Sequence, residues 1–252
     1  MGWLNRWRRR RVLAKHRIDP TLWRRVTSRM AFLRGLDADQ TRRLQELALL
    51  FLAEKQFVGV RGQVLDDAIR LSIAAQACLP ILELGLDWYE GWSGIVVYPG
   101  DFRVQRSEMD EGGVVHEWDD ELAGESWPGG PVILSWDAAQ HDERANVVIH
   151  EFAHKLDMRG GEADGIPPLS ADMDRNAWRA ALASAYESFC DALERGRDVW
   201  LDPYAAEHPA EFFAVLTEAF FEAPNETRRR YPEMYDQLKR FYRQDPATRL
   251  KA

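Results

Sequence analysis

Two cysteines in 252 residues, Cys78 and Cys190, are too few for a disulfide framework. Both sit in apolar helical settings as small buried residues, and nothing points to a thiol nucleophile. No apolar run approaches the ~20 residues needed to span a bilayer, so no transmembrane helix is expected. The N-terminus carries charge without an apolar stretch behind it, which argues against a secretory signal and for a cytoplasmic protein. Acidic residues are nearly missing from the first thirty positions, where ten of the 33 Lys and Arg meet only Asp19. A basic arm on an acidic body can touch nucleic acid, anionic lipid or its own body. The plainer expectation is a solvated arm over residues 1–18, with no direct nucleic-acid partner.

Apolar residues make up 46% of the chain, enough for a sizeable core. Leu22, Val26, Met30 and Leu33 recur at helical spacing, and Asp37 or Asp39 is placed to cap a helix carrying Leu44, Leu47, Leu50 and Phe51. A short strand or turn is predicted at Phe57–Val60 and a helix from Asp66 to Leu79, stopped by Pro80. Strands are predicted at Ile95–Pro99, Val114–His116 and Pro131–Trp136, and helices at 178–193 and 207–221.

One motif stands apart from this packing pattern. His150-Glu151-Phe152-Ala153-His154 is an H-E-x-x-H motif in a run that reads as helix. Residues four apart share a helix face, so both imidazoles can converge on one metal ion. Glu151 then stands where a general base would reach water without being a ligand. Average residue usage yields this pattern by accident in roughly one chain of this length in a few hundred, so chance explains it poorly. Val147, Val148, Ile149, Phe152 and Leu156 put it on a half-buried helix, and Gly160-Gly161 supplies a stop.

A catalytic zinc takes three protein ligands and keeps a fourth position open. Spacing alone leaves Glu207, His208, Glu211 and Glu218 as candidates for the third, with Glu211 and Glu218 seven apart on one helix face. Asp157 and Asp202 are candidate partners for the ligands' second ring nitrogens. His116, His141 and His208 read as surface or turn histidines. The strand at Pro131–Trp136 is a candidate edge for pairing with an extended peptide.

The chain resembles the Mlc titration factor A family, zinc-dependent bacterial peptidases named for binding the repressor Mlc. The resemblance covers most of the chain. It rests on Leu79-Pro80-Ile81-Leu82-Glu83-Leu84-Gly85-Leu86, Tyr98-Pro99, Ile133-Leu134-Ser135-Trp136, the extended motif His150 to Met158, Asp202-Pro203-Tyr204-Ala205-Ala206, Pro209 to Val215 and Phe241 to Pro246. It implies His150, His154 and Glu211 as zinc ligands, Glu151 as the catalytic glutamate and Tyr204 as a residue steadying the oxyanion. The arginine-rich start and Phe212-Phe213 depart from the family pattern.

The expectation is therefore an α+β, zincin-like fold of gluzincin type, with a small mixed sheet, an active-site helix and flanking helices. Residues 19–252 would form one domain, helical over 19–92 and catalytic over 93–252. The expected function is an aminopeptidase-like zinc metallopeptidase, with Glu151 taking a proton from water and returning it to the leaving amine. The alternative is a regulatory protein that sequesters an Mlc-type repressor and has weak or latent peptidase activity.

Overall fold

The computed structural model describes residues 3–109, 115–141 and 146–249. The fold is α+β, with a small mixed sheet set among helices. Strands β1 (Gln56–Gly59), β2 (Gly94–Tyr98) and β6 (Val132–Ser135) run parallel, and β5 (Gly124–Ser126) pairs antiparallel with β6. The sheet order is β1-β2-β6-β5. Ile95, Val97, Val132 and Leu134 are buried, as the alternation in these strands requires when one face meets the core. A separate antiparallel ribbon joins β3 (Phe102–Met109) to β4 (Val115–Leu122).

Two strand expectations change. The Pro131–Trp136 segment is not an edge: β6 lies between β2 and β5, so the short β5 ends the sheet on that side. The β3–β4 ribbon is far longer than the strand predicted at Val114–His116, because its charge-rich segments lack the apolar alternation that marks a half-buried strand. Val114 and the side chains of His116 and His141 lie outside the described residues.

The N-terminal third is helical. Residues Trp3–Lys15 form α1, Pro20–Thr27 α2, Ala38–Glu54 α3 and Asp67–Cys78 α4. Asp37 and Gln40 close a reciprocal capping box on α3, and the Asp66 carboxylate caps α4. The helical spacing from Leu22 to Leu33 spans a break, since α2 ends at Thr27 and Ala31–Leu33 is a 3₁₀ turn. Thr27 and Ser28 donate their hydroxyls to the carbonyls of Trp23 and Arg25 there, the local bonding that competes with helix continuation. The basic arm is not a loose tail: Arg9 of α1 pairs with Glu54 at 2.6 Å and with Asp87 at 2.5 Å.

After the sheet come α5 (Trp136–His141), α6 (Val147–Asp157), α7 (Arg175–Glu194), α8 (Pro209–Glu222), α9 (Pro224–Arg230) and α10 (Pro232–Tyr242). Helix α6 is buried along most of its length, and Phe152 anchors it between Phe51, Tyr89 and Trp92 with centroids 5.6, 5.1 and 5.7 Å away. Gln244, beyond α10, donates to the Leu79 carbonyl at 2.8 Å and ties the C-terminal segment to the end of α4. No helix of the described residues is long and apolar enough to cross a membrane.

Candidate metal centre

Helices α6 and α8 face each other and supply the centre. The Asn146 side chain accepts from Ile149 N–H and starts α6, so His150 and His154 fall one turn apart on a fixed helix. His208 starts α8, its Nδ1 accepting from Ala210 N–H, with Pro209 in the first turn.

Glu211 and Glu218 grip the two nitrogens of one imidazole. Glu211 Oε2 lies 3.1 Å from His150 Nε2, and Glu218 Oε1 lies 2.7 Å from His150 Nδ1. Their seven-residue spacing puts both carboxylates on the α8 face that meets α6. Glu218 also accepts from the Asn146 backbone N–H, so the carboxylate that orients the first histidine also holds the start of its helix.

The donor set fits a metal ion. His150 Nε2, His154 Nε2 and Glu211 Oε2 form a triangle with edges of 3.1, 3.1 and 3.2 Å. Tetrahedral zinc with bonds of ~2.0–2.1 Å has ligand-to-ligand edges of ~3.3–3.4 Å, so little adjustment is needed. With Glu218 accepting a proton from His150 Nδ1, the Nε2 lone pair points into this triangle beside two other electron-rich atoms. Such a cluster attracts a cation. Without one, burial disfavours the protonated imidazole of His150, but Glu211 and Glu218 outweigh it and raise the pKa well above the ordinary histidine value. Burial likewise opposes the Glu211 carboxylate, yet the two imidazoles hold its pKa well below the usual range.

Glu151 turns to the other side of the cleft. It is 4% exposed, its Oε2 is buried without a hydrogen-bond partner among the described residues, and burial raises its pKa against the pull of both histidines. The carboxyl lies against β5: a Cβ on Gly124 would stand 2.7 Å from Glu151 Cγ and 2.8 Å from Cδ, and closer still to Oε1. Only glycine leaves Glu151 this room. Ser126 Oγ donates to the Glu151 carbonyl at 2.9 Å, and Lys155 donates to the carbonyls of Trp127 and Gly130 at 2.6 and 2.8 Å. The motif helix thus fixes both β5 and the turn that follows it.

The cleft holds about 270 Å³, lined by Gly124 to Ser126, the histidines, Glu151, Met158, Tyr204, His208 and Glu211. A cavity of about 330 Å³ between α2, α4 and α5 is larger but contains none of the three converging donors, so chemistry rather than size marks the site. Tyr204 sits in the 3₁₀ turn Pro203–Ala206, 39% exposed, with its ring centroid 6.2 Å from that of His150. Asp202 accepts from Tyr204 N–H at 2.9 Å, so it shapes the tyrosine's turn rather than supporting an imidazole.

The structure therefore brings together His150, His154, Glu151, Tyr204 and Glu211. Of the four candidates left open by spacing, Glu211 faces both imidazoles, Glu218 stands behind His150, His208 caps α8 at the cleft wall, and Glu207 closes the 3₁₀ turn that carries Tyr204. Asp157 is not a partner of His154, whose Nδ1 is buried without a hydrogen bond among the described residues. It accepts instead from Gly165 N–H at 2.7 Å. Sequence reading missed Gly124 and the β5 edge, and a glycine between strand residues was the only available signal.

Comparison with known proteins agrees with this geometry. The family described as glucose-regulated metallo-peptidase M90 matches residues 4–243. An uncharacterized protein of Synechocystis sp. is 39% identical over 251 residues, covering 97% of this chain and 90% of its own. Proteins called Mlc titration factor A in Yersinia pestis and Yersinia pseudotuberculosis are each 38% identical over 225 residues, covering 87% of this chain and 83% of theirs.

Proposed function

The chain belongs to the glucose-regulated metallo-peptidase M90 family and is a metal-dependent enzyme of that class, and from this premise we propose a zinc peptidase of zincin-like, gluzincin type acting on short or N-terminal peptides. The observation that carries the reading is the triangle of His150 Nε2, His154 Nε2 and Glu211 Oε2, with Glu151 beside it and outside the set. In this reading those three residues hold one zinc ion, and residues 19–252 form a single domain.

Zinc bound there supplies Lewis acidity, polarising a carbonyl and acidifying water. The protein's own groups do the rest. An extended substrate pairs with the free side of β5, which brings its scissile carbonyl between Glu151 and Tyr204. Glu151 Oε2, buried and without another partner among the described residues, takes the proton of the attacking water and returns it to the leaving amine. The Tyr204 hydroxyl donates to the oxyanion, an interaction that strengthens as charge develops. Glu218 keeps the His150 proton on Nδ1 throughout.

The test compares wild type with Glu151→Gln at matched zinc content on aminoacyl and internally quenched peptides. Cleavage by wild type alone supports the reading. Equal cleavage by both assigns the activity elsewhere.

A second reading has firmer backing from the comparisons than any preference for short peptides. The Yersinia relatives carry the name Mlc titration factor A. On that ground the protein would bind and titrate a repressor of the Mlc type in the cytoplasm, with its peptidase activity weak or latent. Calorimetry with such a repressor, using wild type and Glu151→Gln, tests it: equal tight binding by both supports titration independent of catalysis, and no binding removes it.

A further inference from the structure

The first helix offers a surface that the metal centre does not use. Residues 1–18 contain six arginines and one lysine and no acid. Helix α1 sorts these by face. Arg9, Val12 and Leu13 turn inward, with Arg9 fixed on Glu54 and Asp87 and the two apolar residues against the core. Trp3, Trp7, Arg10 and Arg11, related by steps of three and four, form the opposite face, and all four are exposed. The two indoles stand out most, at 72% and 50% exposed. Burial would remove each from water, yet the fold leaves both outside while committing the neighbouring Arg9 to an anchored ion pair.

We propose that this face docks on an anionic lipid surface. An indole suits the boundary between acyl chains and headgroups, being apolar with one N–H donor, while arginine reaches the phosphates above it. The pattern here supplies both at one depth: the Arg11 guanidinium lies 5.4 Å from the Trp7 ring centroid, and Arg6 and Arg10 follow Trp3 and Trp7 by three residues. Docking needs no refolding, since Arg9 already holds the helix on the body with its outer face free of the core.

Charge distribution favours a membrane over a nucleic acid. Removing the seven cations of residues 1–18 leaves 26 Lys and Arg against 41 Asp and Glu in the rest of the chain, a balance of −15. The helix is only ~20 Å long at 1.5 Å per residue. A longer polyanionic strand would leave the arm for the acidic body, whereas a lipid plane can meet the outward face alone. The contact is a weak one by construction, with few charges and two inserted rings, and depends on anionic lipid.

The experiment is flotation of the full chain with phosphatidylcholine vesicles containing or lacking 30% phosphatidylserine, at low and high salt. Binding to the anionic vesicles only, weakened by salt, is expected. Arg6→Gln/Arg10→Gln should weaken partitioning by about 25-fold, at about five-fold per cationic side chain. Trp3→Ser/Trp7→Ser keeps the charge and should weaken it by about ten-fold or more. All these side chains are exposed, so unchanged thermal unfolding controls for folding. Equal binding to neutral vesicles, no binding to either, or indifference to both double variants overturns the proposal. Tighter capture of a single-stranded oligonucleotide that survives Trp3→Ser/Trp7→Ser overturns it in favour of nucleic acid.

Discussion

Replacing Glu218 with glutamine separates His150 from the carboxylate that orients its ring. Glu218 is 6% exposed and answers two donors at once, His150 Nδ1–H at 2.7 Å and the backbone N–H of Asn146. A carboxylate has an acceptor oxygen for each; a glutamine has one oxygen and an NH₂ that would face a second donor. Either the imidazole or the helix start loses its partner. Loss of a hydrogen bond to a charged group costs about 1.5–3 kcal/mol, and removal of such a support behind a ligating histidine weakens metal binding about 10–100-fold. Glu218→Gln should therefore still bind one zinc ion, with its Kd raised by about that factor. Glu211→Gln should do worse, because it removes one of the three converging donors. Competition with a chromophoric chelator at pH 7.5 measures both. A Kd for Glu218→Gln within two-fold of wild type would falsify the claim that this carboxylate sets the imidazole, and a loss equal to that of Glu211→Gln would make it a ligand.

Gly124→Ala places a methyl where the Glu151 carboxyl now lies, so turnover should fall at least about 100-fold while zinc stoichiometry stays the same; unchanged turnover would remove the packing constraint. Asp157 is buried and its pKa is pushed up to about 7, chiefly by burial, with the Gly165 N–H opposing. Its folded form holds a proton more tightly than its unfolded form, so this group favours folding fully below pH ~4 and loses that contribution as pH rises through about 7. Asp157→Asn keeps an acceptor for Gly165 N–H without the charge, so its Tm relative to wild type should climb between pH 5 and pH 8 at constant metal content. A Tm difference that is flat across that range would show that Asp157 does not titrate there.

Much of the centre's helical framework is legible in the sequence. A four-residue histidine spacing within an apolar run specifies two imidazoles on one face of a helix, and the helix is there. The glutamates at 211 and 218 announced a shared face, but spacing could not say which would meet the Nε2 atoms of His150 and His154, because both lie on the stripe that packs against α6. That choice depends on how α8 slides along its neighbour. The result, one carboxylate on each nitrogen of His150, is a property of the interface between two helices.

The sheet shows the same division. Apolar runs located β2 and β6, since the segments that carry Ile95, Val97, Val132 and Leu134 into the core have an apolar signature of their own. Their order could not be read there: β6 has the sequence of a strong strand and lies inside, while the edge beside Glu151 is the three-residue β5, whose composition signals little. Arginines and tryptophans near the N-terminus were equally plain, but their local pattern did not reveal that Arg9 would find Glu54 and Asp87 and turn the tryptophans outward. The sequence by itself determined that His150 and His154 share one helix face and that Glu211 and Glu218 share another, because helix periodicity is local. Only the tertiary structure decided the positions of Glu211 and Glu218 around His150, the place of β5 at the end of the sheet and the outward face of α1, because each depends on contacts between segments far apart in the chain.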